Sequence, residues 1–123
     1  MRTLFIFIGL YQGANGLFML LAPALWYASI PGVPETGPAN LHFIRDIGLA
    51  FIAAGVGLSI GAVRQERRTV LIASIFLGGH ALLHLAEMLH GTTPSDALRD
   101  VVLIALPGLL PLAALTVSGG RTA

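Results

Sequence analysis

Four apolar runs, at residues 4–27, 40–63, 69–90 and 100–117, occupy most of this 123-residue chain and dictate what it can fold into. Each is close to the ~20 residues that an α-helix needs to cross a ~30 Å hydrocarbon core at ~1.5 Å per residue. The breaks between them carry helix-stopping or charged sequence. Pro31-Gly32-Val33-Pro34 and Gly37-Pro38 follow the first run, and Arg64-Gln65-Glu66-Arg67-Arg68 follows the second. Gly91-Thr92-Thr93-Pro94-Ser95-Asp96 follows the third, and its last three residues also read as a helix start. A chain this short cannot hide 55% hydrophobic residues in a water-solvated core, and its 11% charged residues fall well below the ~25% usual in soluble domains. The expectation is an all-α, four-transmembrane-helix antiparallel bundle, forming one integral membrane domain over residues 1–123.

The charge is small in sum (+1) but uneven along the chain, and all seven cations are arginines. With alternating helices, Arg2, Arg64, Arg67, Arg68 and Arg121 gather on one side. Arg45 and Arg99 fall on the other, with Glu35, Asp46, Glu87, Asp96 and Asp100. The positive-inside rule then predicts a multi-pass protein of a bacterial inner membrane with both termini cytoplasmic. Trp26 and Tyr27 close the first run where an interfacial aromatic anchor belongs, and the run lacks a convincing small-x-small cleavage site, so it reads as a retained helix, with a cleaved signal peptide as the alternative. No basic patch suited to nucleic acid is present, and the lack of cysteine removes disulfides, thiolate nucleophiles and cysteine-ligated metals.

Helix packing is also written in the sequence. Gly48, Ala50, Ala53, Ala54, Gly55, Gly57 and Gly61 line the second run, and Gly57-x-x-x-Gly61 is a small-residue pair that lets backbones approach. Pro107-Gly108 and Pro111 are expected to kink the fourth helix or open its backbone hydrogen bonds.

Polar residues inside the runs mark a candidate site, because ionisable groups in hydrocarbon normally face a bundle interior, a partner or a pathway. His80, His84 and Glu87 follow an i, i+4, i+7 pattern and share a face of the third helix, with His90 beyond them at the surface. His42 and Asp46 are i, i+4 on the second, below Asn40, with Arg45 about 100° around the helix from Asp46. Counting depth at ~1.5 Å per residue puts His80 near the midplane, and Asp46 level with His84. Gln12 and Asn15 of the first helix lie near the level of His80. If the small-residue stripe Asp46-Ala50-Ala53-Gly57 faces the third helix, His42, Asp46, His80, His84 and Glu87 converge on an outward-facing site centred on His84 and Asp46, with Arg45, Asn40, Gln12 and Asn15 in support.

Histidines and carboxylates without soft ligands suit zinc, iron or copper(II). Haem b is a second option, with His42 and His84 as an axial pair from two helices. A third is a small polar ligand or proton site in which His84 titrates and Asp46 fixes its tautomer. The alternative is that these groups form a hydrogen-bond network with no cofactor, in an accessory or structural subunit of a larger membrane complex. Expected partners are the lipid bilayer and either further copies or a larger complex, and the choice between enzyme, binding protein and structural subunit stays open.

The run Asn40-Leu41-His42-Phe43-Ile44-Arg45-Asp46 resembles a segment of small uncharacterised bacterial four-helix integral membrane proteins. The resemblance covers that segment and the four-span plan. It implies a special role for the Asn-x-His-Phe-x-Arg-Asp segment and carries no activity.

Overall fold

In a computed structural model the backbone is described for residues 1–119 and the side chains for residues 1–116, so Arg121 lies outside the described residues. The described residues are mostly helical, with no strand among them. Helices α1 (Arg2–Leu21), α3 (Leu41–Arg64) and α4 (Arg67–Met88) make three spans, and α2 (Pro23–Ser29) is a short helix after the first. The fourth span is composite: α5 (Pro94–Asp100), a π-helical segment (Val101–Ala105) and α6 (Leu106–Gly119). All four are long and apolar enough to cross a membrane, and they pack as a bundle, α1 on α3, α3 on α4, and α4 on α6.

The breaks have local causes. The first run is not one helix to Tyr27 as expected, because Pro23 lacks an N–H and disfavours helical backbone before it; Ala22 sits at φ −136°, ψ 60° and α2 starts afresh at the proline. Asn40 caps α3, its Oδ1 accepting from the Phe43 N–H at 3.0 Å. At the other end Gln65 turns left-handed (φ 57°), and the chain reverses into α4 within two residues. Thr93 caps α5 by accepting from the Asp96 N–H at 3.2 Å.

Close backbone approach at glycines holds the spans together. A Cβ on Gly55 would lie 2.5 Å from the Gly9 carbonyl oxygen and 2.7 Å from the Gly13 nitrogen, and one on Gly48 would lie 2.8 Å from the Gly16 oxygen. The tightest crossing is therefore α1 on α3. The Gly57/Gly61 pair faces α4, opposite Ala73 and Val70. Across α4 and α6, a Cβ on Gly108 would lie 2.6 Å from the Leu77 oxygen. Phe5, Met19, Phe51, Leu58, Val70 and Leu77 fill the core between these contacts.

Of the two prolines expected to disturb the fourth span, Pro111 lies inside the continuous helix α6, and Pro107 follows a π-helical segment that α1 contacts. In a regular helix the N–H of residue 107 would bond the carbonyl of Leu103. Pro107 has no N–H, and the preceding segment is already π-wound, the Leu106 N–H reaching back five residues to Val101. The Tyr11 hydroxyl crosses from α1 and donates to the Leu103 carbonyl at 3.1 Å.

Two predictions follow from this packing. Gly55→Ala should destabilise the detergent-solubilised protein by about 1–3 kcal/mol in thermal or denaturant unfolding. Gly79→Ala, whose Cβ meets nothing within 4 Å, should cost nothing. Tyr11→Phe should cost about 0.5–1.5 kcal/mol through loss of the interhelical hydrogen bond to the Leu103 carbonyl. Pro107→Ala restores an N–H near that carbonyl, so Tyr11→Phe should cost less in a Pro107→Ala background; an equal cost in both would show that the two do not share the Leu103 oxygen.

Candidate functional site

His84 of α4 is the centre of a polar cluster, as the sequence suggests, but its carboxylate partner is Asp100. His84 Nδ1 lies 3.1 Å from Asp100 Oδ2, and Arg99 Nε donates to Asp100 Oδ1 at 2.9 Å. Arg99 Nη1 donates to Asp96 Oδ1 at 2.9 Å. The Thr93 hydroxyl donates to Asp96 Oδ2 at 2.6 Å. One chain of hydrogen bonds thus runs from the cap of α5, through both its acids and its arginine, into the third span. The side chains of His84, Asp100 and Arg99 are 26%, 15% and 26% exposed, dry enough for these charge-assisted bonds to exceed ordinary surface pairs.

The first interhelical loop completes the shell. Gly32 has φ +89°, and a Cβ there would lie 3.1 Å from Arg99 Nη2, so glycine is favoured by backbone and by space. The guanidinium is held between that loop and α5.

Inward from His84 the surroundings turn aromatic. The His80 and His84 rings meet edge to face with centroids 4.8 Å apart. Phe51 of α3 stands edge-on to His80 at 5.2 Å, and Phe76 lies parallel to it at 6.1 Å. A carboxylate at Asp100 accepts only, so a neutral imidazole at His84 facing it would carry its proton on Nδ1 and keep a lone pair on Nε2. A histidine oriented by a carboxylate in this way is equipped to relay a proton, accept a hydrogen bond or ligate a metal through Nε2.

The other expected residues go elsewhere. Asp46 does not reach His84; it pairs with His42 of its own helix at 3.3 Å, with side chains 56% and 89% exposed. The depth estimate holds, since Gly61 faces Val70 and Phe51 faces His80, which puts Asp46 level with His84. The direction does not, because α3 turns Ile44, Gly48, Phe51, Gly55 and Leu58 inward, and Asp46 lies on the far side of that stripe. Arg45, Glu87 and His90 are exposed too, and Asn40 serves as the cap. Gln12 is buried on the inner face of α1, and Asn15 accepts from Trp26 Nε1 at 3.0 Å. Neither bonds to a histidine.

These placements bear on the cofactors. Among the described residues no three histidine or carboxylate side chains converge as a metal-ligand set. His42 pairs with Asp46 and His84 with Asp100, and no contact joins the two histidines among the described residues. The two cavities of note lie elsewhere, one at the arginine-rich end and one between α1 and α3. Comparison with protein-family models, curated proteins and solved structures finds no match to this chain.

Asp96, Arg99 and Asp100 enter the sequence reading only as charges on the side opposite the arginine-rich end, with Asp100 opening the fourth run. The signal was present: they sit i, i+3, i+4 on a helix that Pro94 starts, and the apolar run follows without a break. If this cluster holds the two spans together, Asp100→Asn should destabilise the protein by about 1–3 kcal/mol, whereas Asp46→Asn should cost less than about 0.5 kcal/mol. Chemical unfolding of both in the same micelle would show it, and equal costs would refute the assignment.

Proposed function

We propose that the chain is a non-catalytic accessory or structural subunit of a larger assembly in a bacterial inner membrane, with both termini cytoplasmic. The observation that carries this reading is the closure of the polar network. His84, Asp100, Arg99, Asp96 and Thr93 satisfy one another, and no fully buried side-chain nitrogen or oxygen lacks a partner among the described residues. Such a network fixes the register of two helices, and its residues line neither of the two cavities named above.

Two further features support the partner and the sidedness. His42, Arg45 and Asp46 project from the outer face of α3, within one to two turns of its start, and charges at that depth favour headgroups or a polar partner over lipid tails. The same residues carry the resemblance to small bacterial four-helix proteins. Arg2, Arg64, Arg67 and Arg68 gather at one end of the bundle, the end that the positive-inside rule puts in the cytoplasm.

A second reading rests on the two imidazoles of His80 and His84, one turn apart with rings in contact. As ligands for zinc, iron or copper they lack a third donor among the described residues, so a partner chain or a solute would have to supply it. Metal analysis and an absorption spectrum of the purified protein decide between the readings. The structural reading expects metal well below one equivalent and no haem band. It expects His84→Ala to lower stability by about 1–2 kcal/mol and change nothing else. One equivalent of metal, lost in His84→Ala, would replace it with the site reading.

A further inference from the structure

A cavity of ≈ 260 Å³ opens at the arginine-rich end, between the start of α1, the α3–α4 turn and α6. Its inner surface is apolar, with Phe5, Ala62, Val70 and Leu115 among its lining, the first three buried. Arg2 and Arg67 stand at its rim. Arg67 Nη2 donates to the Leu115 carbonyl at 2.6 Å, which fixes the guanidinium beside the opening. Arg2, Arg64 and Arg68 are exposed and enter no ion pair or side-chain hydrogen bond among the described residues. Among the described residues the one carboxylate nearby, Glu66, accepts from the Thr69 hydroxyl at 2.9 Å. Four arginines against one acid leave this end strongly positive.

An apolar floor under a cationic rim, at the end of a bundle of membrane-length helices, is complementary to a molecule with a hydrocarbon chain and an anionic head. We propose that this cavity binds one anionic phospholipid, with an acyl chain against Phe5, Ala62 and Val70 and the phosphate between Arg2 and Arg67. Basic pockets between helices at a membrane face recognise such headgroups, and each nearby arginine contributes a several-fold gain in affinity. A neutral lipid would leave the rim charge unused, and free phosphate would leave the floor unused. The inference requires the chain to lie in a bilayer and is independent of whether it is a subunit of a larger assembly.

The test is native mass spectrometry of the full chain in detergent, titrated with phosphatidylglycerol, phosphatidylcholine or inorganic phosphate. The expected result is one retained phosphatidylglycerol, held at least tenfold more tightly than phosphatidylcholine and not displaced by millimolar phosphate. Arg2→Gln, a change at an exposed position, should weaken it about fivefold. Ala62→Leu fills the floor without altering charge and should abolish retention while circular dichroism shows the helices intact. Equal binding of the two lipids, displacement by phosphate alone, or retention unchanged in both variants would overturn the proposal. Should Ala62→Leu fail to fold, the lipid comparison and Arg2→Gln still decide it.

Discussion

A helix in hydrocarbon has no water to turn to, so every polar group that its neighbours leave unpaired stays unpaired. In lipid an orphaned backbone group costs several kcal/mol, whereas an interhelical hydrogen bond in a membrane contributes on average only ~0.6 kcal/mol. The larger number governs the arrangement: hydrogen bonds in this bundle avoid a loss more than they supply a gain. Ser59 and Ser74 show the cheapest solution, each bonding the carbonyl one turn back in its own helix, at 2.9 Å to Gly55 and 2.6 Å to Val70. Tyr11 shows a costlier one. Pro107 brings no N–H, and a side chain from another helix donates to the Leu103 carbonyl. The acids and arginine of α5 follow the same logic with full charges, where a missing partner would cost most.

The same absence of water explains the glycines. Between helices in lipid there is no apolar area to remove from solvent, so association depends on how many atoms come into van der Waals contact. Gly9, Gly16, Gly48 and Gly55 bring two backbones within the reach of single atoms, and a methyl group at Gly48 or Gly55 would overlap its neighbour's main chain. The bundle is thus strongest along α1–α3. The charged cluster joins the other pair, α4 with the fourth span, where glycine contacts are concentrated at Gly78 and Gly108. Packing secures one half of the molecule and electrostatics helps secure the other.

Depth in the membrane is legible from sequence, and direction around a helix is not. Residue counting alone locates four spans, the Pro94 helix start and the common level of Asp46 and His84, because rise per residue is fixed. Direction is normally read from the alternation of apolar and polar residues, and that contrast vanishes when lipid and core are both apolar. Phe7 is 71% exposed and Phe5 7%, yet nothing in the composition of α1 separates them. A stripe of small residues points Asp46 inward, but α3 has small residues on several faces, some directed at α1, some at α4 and, at Ala53, outward. For the fourth span the starting point matters as well: a span counted from Asp100 leaves Asp96 and Arg99 in the preceding loop and Asp100 at its first position, and nothing in the count brings them to the third helix.

The π-helical segment shows why Asp100 can serve where Asp46 cannot. Asp100 meets His84, and Gly108 meets Leu77 and Ala81, so both must face α4 although eight residues separate them. In a regular helix eight residues at ~100° each bring the second position ~80° away from the first. A π-turn absorbs about one residue, so the interval behaves as seven and the two positions fall within ~20° of one line. The irregularity at Val101–Ala105 thus lets a single helix present a carboxylate to a histidine at one level and a glycine to a backbone at another. Its position directly after Asp100, and separated from Pro107 by one residue, makes the polar cluster, the π-turn and the α1 contact parts of one device that sets how the fourth span lies on the third.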